Sequence, residues 1–164
     1  MEPALDPQAK KTVLRHVSYG LYAVTAAHDG DRGVFTANWL TQVSFEPPLL
    51  AVSVERDSST LPLIRASGVF AVCPLAAGQR DLAGSLGRPR AKAGDKYETL
   101  GLHVHASASG APVLADTLGF VACRVTGEME AGDSVLLLGE VVEAAVFHDG
   151  DPLTMREAGF RHAG

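Results

Sequence analysis

Basic residues are outnumbered in this 164-residue sequence: 14 Lys and Arg stand against 19 Asp and Glu, a formal charge of −5. They nowhere form a run. That balance argues against a nucleic-acid surface, which needs a stripe of basic side chains. Cysteine is rarer still. Cys73 and Cys123 each lie inside an apolar run, and no Cys-x-x-Cys occurs. The pattern argues against a zinc knuckle and a redox dithiol; the two could pair with each other, but read better as buried free thiols in a cytoplasmic protein. No apolar stretch approaches the ~20 residues of a membrane-spanning helix. The opening MEPALDPQAKK has no apolar secretory core. Gly-x-Gly is absent, and with it the Rossmann fingerprint. So are the P-loop, His-Glu-x-x-His and Gly-x-Ser-x-Gly.

What is present belongs to an ordinary globular chain, 46% apolar and 20% charged. Its length suits one domain, residues 1–164, which hides about two-thirds of the unfolded surface. Residues 7–17 read as a short helix with Asp6 as cap and Pro7 in its first turn. Strands are expected over 19–27, 33–37, 49–55, 69–75, 119–131 and 134–148, joined by the turn signals Asp29-Gly30 and Gly132-Asp133. The nearly unbroken apolar run 49–55 reads as a strand covered on both faces. Helical spacing recurs at 61–67 and 77–86. Residues 87–101 are basic and punctuated by glycine, which predicts a mobile flap, and 102–117 read as irregular. Six closely spaced strands with short helices predict a mainly β chain, a closed or half-closed β-barrel.

Two segments carry chemistry. In TANWLTQVSFEPP (36–48), polar Thr36, Asn38, Thr41, Gln42 and Ser44 alternate with apolar residues before two prolines end the segment. Thr36 and Asn38 can share one face of a strand. Such a chain packs on one side; on the other its polar groups either hold a flat, polar-edged ligand or satisfy their own turn. In RDSST (56–60), Arg56 leaves a strand, and Ser58, Ser59 and Thr60 precede a helix with Pro62 in its first turn. Either the hydroxyls cap that helix while Arg56 pairs with Asp57, or the cluster holds a phosphate. His103 and His105 share a face, as do Glu128 and Glu130. Each pair is either a weak site pattern or a solvated edge.

Taken together, GVFTANWLTQVSFEPPLLAVSVERDSSTLPLIRASGVFAVCPL (33–75) resembles the core of the flavin reductase-like, FMN-binding split-barrel family. Gln79-Arg80-Asp81-Leu82-Ala83, Asp95-Lys96-Tyr97, Gly110-Ala111-Pro112-Val113-Leu114, Gly139-Glu140-Val141-Val142 and Asp151-Pro152-Leu153 fall where that family has counterparts. The likeness spans about residues 15–160. It implies a six-stranded Greek-key split barrel and a homodimer with flavin near the subunit interface. It also implies an NAD(P)H:flavin oxidoreductase binding FMN, with FAD as the other flavin that could sit there. Reduced flavin would serve a flavin-dependent monooxygenase or another acceptor. By the same resemblance, Thr36, Ala37, Asn38 and Trp39 would line the isoalloxazine, with Thr41 and Ser44 nearby. Arg56, Ser58, Ser59 and Thr60 would hold the phosphate, while the 87–98 loop, with Lys96 and Tyr97, would flank the nicotinamide or substrate side. One departure stands out: Gly132-Asp133-Ser134 replaces the family's Gly-Asp-His, a histidine linked to pyridine nucleotide use. A flavoprotein that carries electrons without oxidising NAD(P)H is the alternative. The ending, 154–161, would either close over the flavin or stay disordered.

Overall fold

The central strands are nearly continuous apolar runs whose successive side chains enter two different cores, and that decides how the molecule is layered. The computed structural model describes residues 1–164. In chain order the elements are α1 (Pro7–Leu14), β1 (Tyr22–His28), β2 (Asp31–Ala37), β3 (Leu40–Ser44), β4 (Leu49–Glu55), α2 (Leu61–Ser67), β5 (Val69–Pro74), α3 (Arg80–Leu86), α4 (Arg90–Ala93), α5 (Lys96–Thr99), β6 (Val104–Ala106), β7 (Pro112–Leu114), β8 (Gly119–Ala131), β9 (Ser134–Val146) and α6 (Met155–Ala158). One antiparallel sheet runs β2–β1–β5–β8–β9–β4–β3, and β6 and β7 form a separate pair.

On β1, Ala23 faces one core and Val24 the other; on β5, Ala71 and Cys73 oppose Phe70 and Val72. Successive side chains of a strand point to opposite faces, so both strands are covered on both sides. The first core adds Leu75, Leu86, Val113 and Leu153; the second adds Val52, Ile64, Val135 and Leu137. Cys73 and Cys123 are free and buried, one in each core, and burial pushes their thiols up to about 11 and about 12. In the β1–β2 hairpin, Asp29 and Gly30 both take positive φ (53° and 82°), as a tight turn requires. Gly139 has a packing reason: a Cβ there would lie 2.8 Å from the Phe70 ring and from the Cys123 side chain.

The mainly β chain with short helices is as expected, but four details differ. The main sheet has seven strands rather than six, because Leu40, Thr41 and Gln42 pair with Val52, Ala51 and Leu50 and add an edge strand inside the polar segment. β4 is not covered on both faces. Only Val52 and Val54 are buried, while Ser53 and Glu55 turn to a cavity. Residues 87–101 form a corner with two short helices, most of it exposed or half-buried. Lys96 and Tyr97 are buried there, and the Tyr97 hydroxyl donates to the Gly33 carbonyl at 2.7 Å. Within 102–117, β6 and β7 pair from Val104↔Leu114 to Ala106↔Pro112. No helix is long and apolar enough to cross a membrane.

Candidate functional site

A cavity of about 630 Å³ opens between the end of β2, the β4–α2 connection, the α3–α5 corner and the segment after α6. That volume lies in the ~300–1,000 Å³ range of small-molecule sites. From β2 and the residues after it come Thr36, Ala37, Asn38 and Trp39; from the β4–α2 connection Ser58, Ser59 and Thr60; from the corner Lys96. The structure thus gathers these residues around one cavity.

Their polar groups are partly engaged. The Thr36 hydroxyl donates to the Ala83 carbonyl at 2.5 Å and ties β2 to α3. Asn38, 8% exposed, donates one amide hydrogen to the His162 carbonyl at 2.9 Å; its side chain makes no other hydrogen bond within the protein. Trp39 packs against His162, with ring centroids 5.6 Å apart and planes tilted by 37°. Thr60 is the residue that precedes α2, without a side-chain cap bond, and its own N–H donates to the Ser58 hydroxyl at 3.3 Å.

Lys96 is 6% exposed, and its ammonium donates to the carbonyls of Val34 and Leu86. Carbonyl dipoles do not neutralise it, and burial holds its pKa down to about 8. Four nominated residues are not on the wall. Thr41 is exposed on β3 and donates to the Gln42 carbonyl, and Ser44 is half-buried at the far end of that strand. Arg56 turns to the β8–β9 hairpin, where it pairs with Glu130 and donates to the Gly132 carbonyl at 2.9 Å. Tyr97 is sealed beneath the corner with the Arg32 guanidinium 4.3 Å from its ring centroid. Burial pushes its phenol well above the usual range.

The cavity also takes Ser134 from β9 and Phe160 from the ending, both singled out by the sequence. Other lining residues were not nominated: Arg88 and Arg90 from the corner, Glu55 and Asp57 from the β4–α2 connection, and His162 from beyond α6. Arg90 is paired with Asp31 at 3.0 Å and depresses that carboxyl, whereas Arg88 enters no ion pair. The basic character of 87–98 was the signal for the arginines. For His162 there was only the polarity of the ending. The remaining sequence candidates are edges. His103 pairs with Asp116 at 3.0 Å, His105 packs its ring against Phe147, and Glu128 pairs with Arg65.

The wall therefore combines a half-free amide, an aromatic face, hydroxyls and two cations without carboxylate partners. The arrangement suits a flat heterocycle that carries an anionic group. Comparison with known proteins agrees with this chemistry. The flavin reductase like domain family matches residues 14–164. The reductase component of a 4-nitrophenol 4-monooxygenase/4-nitrocatechol 2-monooxygenase from Rhodococcus opacus is 31% identical over 158 residues, 96% of this chain and 82% of the relative. A high molecular weight rubredoxin from Moorella thermoacetica is 33% identical over 144 residues; 86% of this chain is covered, but only 62% of the relative's length. Among solved structures, the NADH:FAD oxidoreductase of Streptomyces globisporus superposes with a TM-score of 0.75 at 28% identity, covering 89% of this chain and 88% of that one. With its strand order, its cavity and this match over nearly the whole length, the chain belongs to the flavin reductase-like family.

Proposed function

We propose that this protein oxidises NAD(P)H and reduces FMN held in the cavity, for use by a flavin-dependent monooxygenase. The observation that carries this reading is the convergence of Asn38 and Trp39 with Ser59, Arg88 and Lys96 on one cavity. A flavin edge alternates hydrogen-bond acceptors with an N–H donor, and the Asn38 amide offers both kinds of group. A phosphate wants cations and hydroxyls. Glu55 and Asp57 repel an anion from their part of the wall, so the phosphate belongs beside Ser59, Arg88 and Lys96. A terminal phosphate fits that cluster, hence FMN rather than FAD.

When bound, FMN supplies the hydride-accepting ring. The chain's residues do the rest. Trp39 and Asn38 orient the ring edge, and Lys96 and Arg88 fix the opposite charge. Leu21, Met155 and Phe160 keep water from the apolar part of the wall. The relative from Rhodococcus opacus, as a monooxygenase reductase component, supports the choice of partner.

We read residues 1–164 as one such unit whose sheet curls into a split barrel, with β2 approaching β4 across the cavity. We also read the chain as a homodimer. The edge strand β3 and the residue after it expose Val43 at 51% and Phe45 at 89%, which a second copy would cover. Thr41 and Ser44 lie on that same edge and would then approach the partner's site. Phe45→Lys should yield a monomer by light scattering if the edge is the interface.

The test of function is anaerobic. Purified protein is mixed with FMN, and the visible flavin band is followed after NADH or NADPH is added. Rapid bleaching supports the reductase. FMN that binds but stays oxidised until dithionite is added supports the second reading, an electron carrier. Ser134 at the cavity, with its neutral hydroxyl, favours that alternative. Failure to bind FMN overturns both.

A further inference from the structure

The two groups best suited to a flavin ring are already in use by the chain itself. Asn38 donates to the His162 carbonyl, and Trp39 packs against the tilted His162 ring. The segment that reaches them follows α6, whose Met155 and Ala158 are buried, and Gly159, whose positive φ of 73° ends the helix. Phe160 is anchored beneath Arg80, 5.1 Å from the guanidinium to the ring centroid. Beyond Phe160 the hold weakens. Arg161 and His162 are exposed. Besides the Asn38 bond and the Trp39 contact, two tethers remain. His162 Nε2 lies 3.7 Å from a Glu55 carboxylate oxygen, and the Arg15 guanidinium donates to the Ala163 carbonyl at 3.3 Å. Both tethers are solvent-exposed, where ion pairs and hydrogen bonds contribute little.

We propose that residues 161–163 form a displaceable strap over the site, and that His162 competes with the flavin ring for Asn38 and Trp39. This rests on the flavin reading above. A ring lying along Trp39 and accepting from Asn38 takes the surface on which His162 now sits. The strap's contacts are few and exposed, so a ligand that also gains Lys96 and Arg88 outcompetes them. Phe160 stays in place as the fixed point about which the strap swings.

The experiment uses the full protein, a form lacking residues 161–164, and His162→Ala. Trp39 is the only tryptophan, so intrinsic fluorescence without flavin reports its packing partner directly. Both variants should change Trp39 emission, with a shift to longer wavelength as water reaches the ring. Titration with FMN should show the shortened form binding about three- to tenfold more tightly, the value of one neutral hydrogen bond and a ring contact. Its association should also be faster. His162→Ala keeps the carbonyl and should gain less. In the full protein, hydrogen exchange across 161–164 should speed up when FMN is added.

Unchanged Trp39 emission, equal or weaker FMN binding by the shortened form, or slower exchange with FMN would overturn the strap while leaving the flavin reading intact. Absence of FMN binding by every form overturns the flavin reading, and the strap with it.

Discussion

Two connections border the cavity, and each brings cations, yet only one leaves them available. Arg56 in the β4–α2 connection follows a strand directly and stands next to three hydroxyl residues, the arrangement that reads from sequence as a phosphate site. In the structure it is neutralised by Glu130, 74 residues away, at the tip of the β8–β9 hairpin. The α3–α5 corner reads as a solvated basic flap. It is instead folded onto β2 and keeps Lys96 and Arg88 on the cavity wall without a carboxylate partner. A cation matters for ligand binding only where the fold has not already spent it. Which cations are spent depends on what the rest of the chain brings alongside.

Gly33 joins the two connections and provides the largest test. Its carbonyl accepts the Tyr97 hydroxyl, and a Cβ on it would lie 2.6 Å from the Thr60 hydroxyl oxygen and 3.2 Å from the Thr60 Cα. Gly33→Ala should force β2 away from Thr60, cost about 1–3 kcal/mol in urea unfolding, and weaken FMN binding. An unshifted midpoint would mean the two connections are not rigidly coupled.

The comparison itself is tested by a pair of variants. Arg88→Ala should lower FMN affinity about tenfold in a fluorescence titration, since it removes a charge-assisted contact. The sequence argument expects that loss from Arg56→Ala. Equal effects would erase the distinction between the connections.

Next comes a pH dependence. Lys96 releases its proton near pH 8 in the folded protein, against 10.5 for the ordinary lysine. Between those values the unfolded chain holds a proton that folded Lys96 has lost, so Lys96 contributes stability that rises with pH, against the fall contributed by the raised thiols of Cys73 and Cys123. Lys96→Met should remove that contribution, so its unfolding midpoint should fall relative to the parent protein as pH rises from about 8 to 10.5. Parallel curves for the two proteins would place Lys96 in water rather than in the wall.

The smallest effect belongs to Arg56→Ala. It loses an exposed ion pair and should change FMN affinity less than about twofold and stability by under about 0.5 kcal/mol. A tenfold loss of affinity would show that Arg56 leaves Glu130 to hold the phosphate, and would restore the sequence argument.

Much of the strand layout was legible because its determinants are local. β8 and β9 were recognisable from long β-branched runs around Gly132-Asp133, and the β1–β2 hairpin from Asp29-Gly30, where positive φ is needed at both turn residues. The Asp6 cap of α1 was equally plain, and its carboxylate accepts from the Gln8 and Ala9 amides. β3 was missed because its polar residues disguise an edge strand, whose outer face need not be apolar. The corner at 87–101 was misjudged because glycine and basic residues usually mean solvent. Here the stem of Lys96 and the ring of Tyr97 are buried, with their polar ends satisfied by the carbonyls of Val34, Leu86 and Gly33.

By itself, then, the sequence determined the β character, the main turns and the polar face that starts at Thr36, because alternation and turn chemistry act between neighbouring residues. Only the tertiary structure decided which charges face the cavity and what closes it. Asn38 meets the carbonyl of His162 from 124 residues away. No local spacing encodes such a contact; it exists only once the sheet has brought both segments to the same edge.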